Sequence, residues 1–327
     1  MNRGEQTRAE LTELTRQRIL LLDGAMGTMI QARGLTEADY RGREFAQHAK
    51  DLRLNNEVLN LSQPQMIEEV HRAYLDAGAD IIETNTFNGN AISMAEYGLK
   101  DRAADLSRAG AQIARRAVDH YAADTERRCY VAGSMGPTPR TASVSQDVSN
   151  PAGRTVTFDQ LRDAYSAQAQ ALVEGGADVL LVETVFDTLN AKAALFAIEE
   201  YFEKSGARIP VIVSVTIVDR SGRNLSGQPV EAFWISVSHM PMLAVGMNCA
   251  LGAKQMRPFI EELAGLAPIP IICYPNAGLP NAFGGFDETP ERMSADVGEF
   301  ARSGWLNIAG GCCGSTPAHI RAIGAAL

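Results

Sequence analysis

The 327-residue sequence has the composition of a globular protein, with 46% hydrophobic and 21% charged residues, a net charge of −9 and a pI near 5.2. This acidic balance, without a Lys/Arg stripe between aromatic residues, excludes nucleic acid as an expected partner. The polar segment 1–18 has no apolar signal core, and the longest apolar run, 209–218, is too short to cross a bilayer. We therefore expect a soluble cytoplasmic protein without membrane association.

Short apolar runs recur along the whole sequence, each followed by a loop and then by a segment with helical periodicity. Most of the runs are apolar throughout, which is typical of parallel strands covered on both faces. Eight such units predict an α/β fold, a (β/α)8 TIM barrel with long loops at its C-terminal face. The predicted strands are 19–23, 80–84, 130–134, 178–184, 211–217, 243–249, 269–276 and 306–311.

Helix start and stop signals separate the predicted strands. The spacing from Thr157 to Gln160 predicts a capping box at the start of one helix. Pro64 predicts the start of an earlier helix that ends before Asp80. The segment 1–18 is expected to form a helical extension that closes the bottom of the barrel.

Three connections between predicted elements are unusually long and rich in Gly, Pro, Ser and Asn: 135–157, 219–230 and 277–290. All follow the carboxyl ends of predicted strands, where barrels of this type build their active sites, so they are candidate lids and binding loops. No change in composition indicates a linker. We therefore expect one domain over residues 1–327.

Three cysteines lie at the ends of two predicted strands: Cys249 ends the sixth, and Cys312 and Cys313 follow the eighth. These strand ends share one rim of the barrel, so three thiolates can converge on a zinc ion with one position open, as in catalytic sites. Adjacent strand residues point to opposite faces, so the three flanking glycines are expected to adopt φ values closed to other residues and turn both sulfurs one way. The alternatives are a vicinal redox dithiol or small apolar side chains in a core.

The other cysteines and the histidines carry no such signal. Cys129 and Cys273 lie within or at the start of apolar runs and are expected to be inert core thiols. Five cysteines, with two adjacent, do not fit the disulfide framework of a small secreted domain. No histidine ends a predicted strand, so packing or surface positions are expected for His48, His71, His120, His239 and His319.

Polar side chains end several other predicted strands on the same rim. Carboxylates, amides and a hydroxyl occupy these positions: Asp23, Glu83, Glu183, Asn85, Ser134, Asn248 and Asn276. Polar groups around one mouth favour a substrate site. The alternative is that the carboxylates cap local backbone or pair with loop arginines such as Arg140 and Arg154.

The segment after the first predicted strand is rich in small residues: Gly24, Ala25, Met26, Gly27 and Thr28. Such a segment leaves backbone N–H groups accessible, which suits an anion such as a carboxylate. An open thiolate-bound zinc, an anion-accepting loop and carboxylates for an ammonium together predict a pocket for an amino acid that carries a thiol. Three anionic cysteine ligands would keep a coordinated sulfur electron-rich enough to attack carbon.

Six motifs of the sequence resemble those of the homocysteine S-methyltransferase family. Four are LDGAMGT (22–28), GADIIETNTF (78–87), NCALG (248–252) and GGCCG (310–314). With VETVFDTLNAK (182–192) and PNAGLPN (275–281), they are most similar to the N-terminal homocysteine-binding modules of cobalamin-dependent methionine synthases. The resemblance runs from about residue 18 to residue 327.

This resemblance implies a (β/α)8 barrel in which Cys249, Cys312 and Cys313 bind zinc and the sulfur of homocysteine takes the fourth position. It implies that methylcobalamin supplies the methyl group and that methionine is the product. It also implies a set of residues that hold the amino and carboxylate groups of homocysteine: Asp23, Gly24, Ala25, Gly27, Thr28 and Glu183, with Glu83, Asn85 and Asn248.

Full-length enzymes of this type continue into folate-binding, cobalamin-binding and reactivation domains, whereas this chain stops at Leu327. The resemblance therefore implies a fragment of a larger enzyme, with its cobalamin-binding and folate-binding domains as partners. One alternative is a free-standing homocysteine methyltransferase that uses betaine or S-methylmethionine. Another is a non-catalytic zinc or redox module in which Cys312 and Cys313 form a reversible disulfide.

Overall fold

The computed structural model describes residues 2–145, 147–218, 221–281 and 284–327, and in these segments eight parallel strands form one sheet. The sheet order is β1-β8-β7-β6-β5-β4-β3-β2. All eight predicted strands are confirmed, with shifts of a few residues at their ends. The strands are β1 (Leu20–Leu21), β2 (Ile81–Glu83), β3 (Tyr130–Met135), β4 (Val179–Val185), β5 (Val211–Val215), β6 (Ala244–Gly252), β7 (Ile271–Asn276) and β8 (Ile308–Ala309).

Backbone contacts between β1 and β2 close the sheet into a barrel. Leu22 forms a parallel bridge with Ile81, Asp80 N donates to Leu21 O at 2.6 Å, and Asp23 N donates to Ile81 O at 3.0 Å. The predicted (β/α)8 barrel is therefore confirmed. The carboxyl ends of all strands meet at one mouth, where this fold places its active sites.

Thirteen α-helices are present in the described residues, and eight of them form the outer layer that alternates with the strands. The outer helices are α5 (Pro64–Asp76), α7 (Ala103–Thr125), α8 (Phe158–Glu174), α9 (Thr188–Ser205), α10 (Val230–Val237), α11 (Ala253–Leu266), α12 (Pro290–Arg302) and α13 (Pro317–Ala326). The others are α1 (Arg3–Gln17), α2 (Met26–Gln31), α3 (Glu37–Arg41), α4 (Leu59–Ser62) and α6 (Ala91–Glu96). None of the helices in the described residues combines the length and apolarity that a membrane span requires.

The strands bury apolar side chains on both faces, as their composition predicts. In β4, Val179 and Leu181 belong to one buried cluster, and Leu180 and Val182 belong to another. The second cluster also contains the buried residues of α8 and α9, so it fills the space between sheet and helices. The first cluster therefore fills the barrel interior, since successive side chains of a strand point to opposite faces.

The predicted capping box of α8 is formed at its first turn. Thr157 accepts a hydrogen bond from Gln160 N at 3.2 Å, and the Gln160 side chain accepts one from Thr157 N at 3.0 Å. The predicted apolar face of this helix is buried: Leu161, Ala164, Tyr165, Gln168, Ala171 and Leu172. The helix therefore begins where the sequence predicts and covers the outside of the barrel.

The amino ends of the strands form the bottom of the barrel. Leu11, on α1, is fully buried and packs in the interior cluster. Asp80 accepts Leu21 N at 2.9 Å and pairs with Arg18 and Arg127, each at 2.6 Å. This end is thus filled by a helix and fixed by ion pairs, which leaves the opposite mouth for a ligand.

Candidate functional site

The sulfur atoms of Cys249, Cys312 and Cys313 lie within 4.8 Å of one another at the C-terminal mouth. Cys249 Sγ and Cys313 Sγ are 3.8 Å apart. Two ligands of a tetrahedral zinc ion with Zn–S bonds of about 2.3 Å are separated by about 3.8 Å. The spacing and the chemistry of these three side chains therefore fit a metal ion with sulfur ligands.

Cys249 reaches the cluster because β6 leaves regular strand geometry at this residue. Cys249 and Ala250 have left-handed φ angles of 62° and 58°, and the register with β7 shifts between Asn248 and Gly252. A non-glycine residue adopts this conformation only when its surroundings hold it there, and such residues concentrate at functional sites. The bulge turns the Cys249 sulfur toward the loop after β8.

The glycines around the cysteine pair act differently from the sequence-based expectation. Of the three, Gly314 alone has a positive φ, at 80°. A Cβ on Gly310 would lie 2.7 Å from the Leu22 side chain, and one on Gly311 would lie 2.5 Å from Ser315 Oγ. The expectation of unusual φ values is therefore wrong for Gly310 and Gly311. Glycine is required at these two positions because a side chain would collide with neighbouring residues, and not because the backbone adopts a conformation reserved for glycine.

The three thiols differ in pKa. Hydrogen bonds from Cys312 and Cys313 lower the pKa of Cys249 to about 3. The same contacts raise the pKa of Cys312 well above its ordinary value and that of Cys313 to about 12. The free cluster therefore holds one thiolate and two thiols near neutral pH. A bound divalent cation would stabilise the other two thiolates by displacing their protons.

A cavity of about 340 Å³ opens beside the cysteine cluster. Ten of the twelve predicted site residues line it. These are Gly24, Ala25, Gly27, Thr28, Glu83, Asn85, Glu183, Cys249, Cys312 and Cys313. The other two, Asp23 and Asn248, are buried at 2% and 0% exposure and are not among the lining residues.

Three buried carboxyl groups give the inner part of the site its acidic character. Burial raises the pKa of Glu183 to about 7, although Ser134 and Tyr274 donate hydrogen bonds to it. Burial, reinforced by the charges of Glu183 and Asp23, raises the pKa of Glu83 well above its ordinary value. Burial likewise raises the pKa of Asp23. An ammonium group between them would favour their ionised forms.

Two of these carboxyl groups have an oxygen that lacks a partner. Asp23 Oδ2 accepts Glu83 N at 3.0 Å, whereas Asp23 Oδ1 and Glu83 Oε1 are buried without a hydrogen bond in the described residues. Buried oxygens of this kind are costly unless a ligand or water satisfies them. The pair therefore provides acceptors for a cationic group of a ligand. The loop arginines Arg140 and Arg154, considered as partners, instead donate hydrogen bonds to loop carbonyl oxygens.

The loop after β1 is tied to the loop that carries the cysteine pair. Ser315 Oγ accepts Ala25 N at 3.1 Å and donates to Cys312 O at 2.7 Å. Thr28 Oγ1 accepts Gly314 N at 3.0 Å. Because α2 begins at Met26, the amide groups of its first turn have no partner within the helix. The segment after β1 and the loop that carries Cys312 and Cys313 are therefore held together as one unit.

The two predicted asparagines are engaged in local hydrogen bonds. Asn85 Nδ2 donates to Asn56 O at 2.7 Å and to Asn60 Oδ1 at 2.9 Å. Asn248 donates to Thr184 Oγ1 at 2.8 Å and accepts Thr184 N at 3.0 Å. These amides thus organise the chain around the cavity.

Sequence reasoning missed Glu57, which is buried and lines the cavity. Glu57 Oε1 accepts Asn88 N at 2.7 Å, and burial raises its pKa. It belongs to a short 3-10 helix, Asn56–Val58, in the long connection between β1 and α5. No strand end precedes this residue, so the signal that identified the other carboxylates is absent from its surroundings.

The remaining cysteines and the histidines occupy the positions that the sequence predicts. Cys129 and Cys273 are buried, and burial raises the pKa of both thiols, that of Cys129 to about 11. Among the described residues, the cysteine trio is the one group of three or more potential ligands close enough to hold a metal ion, and it contains no histidine. His71 is fully buried, and His239 is exposed.

A parallel barrel with three cysteines close enough to hold a metal ion and an acidic cavity at its C-terminal mouth is the arrangement of an enzyme of the (β/α)8 class. The sequence matches the profile "Homocysteine S-methyltransferase" over residues 20–327. The protein therefore belongs to the homocysteine S-methyltransferase family and is a methyltransferase.

Solved structures of the homocysteine methyltransferase MmuM from Escherichia coli share this fold. The oxidised form is 25% identical, with a TM-score of 0.73 over 94% of this chain and 95% of that chain. The metallated form is 25% identical, with a TM-score of 0.71 over 94% and 96%. The apo form, at 24% identity and a TM-score of 0.66 over 94% and 96%, is similar in fold.

Proposed function

We propose that this protein activates homocysteine for methyl transfer, with methylcobalamin as the methyl donor and methionine as the product. The observation that carries the proposal is the placement of three cysteine sulfurs within 4.8 Å of one another on the wall of an acidic cavity. The sulfurs suit a metal that binds a thiol, and the carboxyl groups suit the ammonium of an amino acid.

Cys249, Cys312 and Cys313 are the residues that would hold zinc. Zinc held by these three sulfurs would bind the homocysteine thiol and would lower its pKa, so that thiolate would be present near neutral pH. The protein surrounds the homocysteine sulfur with groups that have little exposure to solvent. It also fixes the direction of the three cysteines through the bulge at Cys249 and the packed glycines before Cys312.

Glu83 and Glu183 are the proposed partners of the homocysteine ammonium. Both are buried at the cavity wall, and Glu83 has an oxygen without a partner in the described residues. Asp23 is the third carboxyl group available to the ammonium: its Oδ1 has no partner in the described residues, and its Oδ2 accepts Glu83 N. The backbone of residues 24–28 is the proposed contact of the substrate carboxylate. Held at both groups, the substrate directs its side chain toward the cysteine cluster.

The methyl group would pass directly to the substrate sulfur: an S–C bond forms as the bond between the methyl group and its donor breaks. The resemblance of six sequence motifs to cobalamin-dependent methionine synthases supports methylcobalamin as that donor, held by the cobalamin-binding domain of a larger enzyme. Exposed apolar side chains in the connections after strand ends are available for contact with such a domain: Leu54, Val144, Val148, Leu225 and Leu279.

The donor is tested by incubating the zinc-loaded protein with homocysteine and, separately, methylcobalamin, betaine or S-methylmethionine, with methionine measured by mass spectrometry. We expect turnover with methylcobalamin. Turnover with betaine or S-methylmethionine and none with methylcobalamin would overturn the proposed donor but not homocysteine methylation.

A small cationic donor is the second candidate, and the charge of the cavity favours it. Glu57, Glu83 and Glu183 line the cavity, and no Lys, Arg or His is among its described lining residues. Such a surface attracts a sulfonium or quaternary ammonium compound. The parallel reactions with betaine and S-methylmethionine therefore decide between the two candidates.

X-ray absorption at the zinc edge tests the metal and the substrate together. We expect three sulfur ligands without homocysteine and four with it. A protein that binds no zinc, and whose properties are indifferent to Cys249→Ser, would instead favour the non-catalytic redox module.

A further inference from the structure

Asn248 lies at the junction of the metal cluster and the substrate cavity but belongs to neither. It is fully buried in β6, immediately before Cys249, and does not line the cavity. Its position therefore does not suit a direct contact with substrate. Its hydrogen bonds instead connect three separate parts of the site.

The side chain of Asn248 uses both its oxygen and its nitrogen within the protein. Asn248 Oδ1 accepts Thr184 N at 3.0 Å and Ser214 Oγ at 2.7 Å. Asn248 Nδ2 donates to Thr184 Oγ1 at 2.8 Å and to Cys312 Sγ at 3.9 Å. An amide has two acceptor sites and two N–H groups, so these four contacts occupy it completely.

Thr184 needs such support because its backbone is strained. It is a β-branched residue with a left-handed φ of 56°, at the register shift between β4 and β5. Two of the four bonds from Asn248 hold this residue, one at its N–H and one at its hydroxyl. The residue before it is Glu183, the proposed ammonium partner, so the bulge sets the direction in which that carboxyl group points.

The bond to Cys312 connects the same amide to the metal cluster. Groups that hydrogen-bond to metal ligands fix the orientation of those ligands, and their loss typically weakens metal affinity by about 10 to 100-fold. The hydrogen bonds of Asn248 therefore reach both a cysteine of the cluster and the Glu183–Thr184 segment.

We propose that Asn248 is a positioning residue that sets Cys312 for metal binding and Thr184, with Glu183, for substrate binding. The metal part of this inference rests on the proposed function. The role of Glu183 in substrate binding rests on it as well, whereas the support of the Thr184 backbone by Asn248 does not.

The first arm of the test uses the substitution Asn248→Asp, which keeps the shape and the acceptor but loses the N–H donor. Its matched control is Asn190→Asp, which changes a buried amide on α9 that donates to Arg140 O and lies apart from the cluster. Zinc affinity is measured by competition with a chelator, homocysteine affinity by calorimetry, and folding by the thermal midpoint. We expect at least a tenfold loss of zinc affinity in Asn248→Asp and less than a twofold change in Asn190→Asp.

Three results would contradict the proposal. Zinc affinity within twofold of wild type in Asn248→Asp would show that the amide does not set Cys312. Unchanged zinc affinity with weakened homocysteine binding would remove the role at Cys312 and leave only the role at Thr184 and Glu183. An equal loss of zinc in both variants would reduce the effect to general destabilisation.

The second arm uses the metal-free protein and does not depend on the proposed function. Thr184→Gly is introduced into wild type and into Asn248→Ala, and urea midpoints are compared. Because glycine accepts the left-handed conformation without strain, we expect a larger gain in midpoint when the Asn248 amide is absent. Equal effects in both backgrounds would overturn the role of Asn248 at Thr184. If wild type binds no zinc, the proposed function fails and this arm still decides the inference.

Discussion

The three sulfur atoms at the mouth differ in pKa, although they are the same chemical group, because hydrogen bonds within the cluster favour the thiolate of Cys249. Cys249 is the thiolate, and the two cysteines after β8 keep their protons to higher pH. Metal binding is therefore linked to proton release, and the linkage has a definite size.

We expect zinc binding to release about two protons between pH 6 and pH 7, because two of the three thiols are still protonated there. Zinc affinity should then fall by roughly 100-fold for each pH unit of acidification in this range. Calorimetry in buffers of different ionisation enthalpy measures the number of protons. A release of three protons would mean that Cys249 is not ionised in the free protein.

Replacing any one of Cys249, Cys312 or Cys313 by Ala should abolish metal-dependent homocysteine binding while the fold is retained. The physical reason is that the cluster lies at the mouth of an independently packed barrel, in the bulge of β6 and the loop after β8. Metal content and calorimetry check the first expectation, and the circular dichroism spectrum checks the second. Cys273→Ala, which removes a buried thiol outside the cluster, is the control and should keep its zinc. Stoichiometric zinc in Cys312→Ala would contradict the assignment.

At the scale of the elements, all eight strands could be predicted because parallel strands covered on both faces are continuous apolar runs. The predicted bounds are less accurate at the ends of the strands, where the candidate site lies. β1 and β8 keep only two ladder residues each, while β6 extends to Gly252 because it pairs again with β7 after its bulge. The left-handed residues Thr184 and Cys249 are not glycines, so composition carries no signal for these bulges. Their conformations are imposed by tertiary contacts.

The residues of the candidate site also differ in whether the sequence could predict them. Cys249, Glu83 and Glu183 could be predicted because each stands at a strand end, and strand ends converge. Glu57 could not, because it reaches the cavity through the irregular connection between β1 and α5. The substrate role that the resemblance implies for Asn248 stays a prediction, and the side-chain contacts of this buried amide could not be predicted from its position in the chain.

Helix α5 carries a group that should make the protein sensitive to acid. His71 is fully buried, and neither ring nitrogen has a hydrogen-bond partner in the described residues. Burial lowers the pKa of His71 to about 3. The unfolded chain takes up this proton below pH of about 6.5, and the folded chain does not, so stability falls as pH falls through that window.

We therefore expect wild type to lose about 2 kcal/mol more unfolding free energy than His71→Leu between pH 7.5 and pH 5. Urea denaturation at the two pH values measures the difference. His239→Gln, at an exposed position, should behave as wild type. Parallel loss in wild type and His71→Leu would mean that the buried ring has a partner or is already charged.

In the whole molecule, the bottom of the barrel stabilises the fold, and the mouth contains the candidate site. The bottom of the barrel contains α1 and the ion pairs of Asp80 and Asp178. Each of these carboxylates also accepts a backbone N–H group from the neighbouring strand that comes before it in the barrel. The mouth holds strained residues and buried carboxyl groups, which cost stability. A rigid bottom allows the mouth to keep such a costly arrangement.

Leu11→Ala tests this separation. Leu11 is fully buried in the barrel interior, and removing a side chain of this kind costs about 3 kcal/mol because a cavity remains. We expect a lower urea midpoint with zinc and homocysteine affinities within twofold of wild type, since α1 lies at the bottom of the barrel and the candidate site lies at the opposite mouth. Arg16→Ala, at an exposed position of the same helix, should change neither quantity. If Leu11→Ala lowered zinc affinity tenfold while folded, the barrel would transmit strain from bottom to mouth, and the two ends would not be independent.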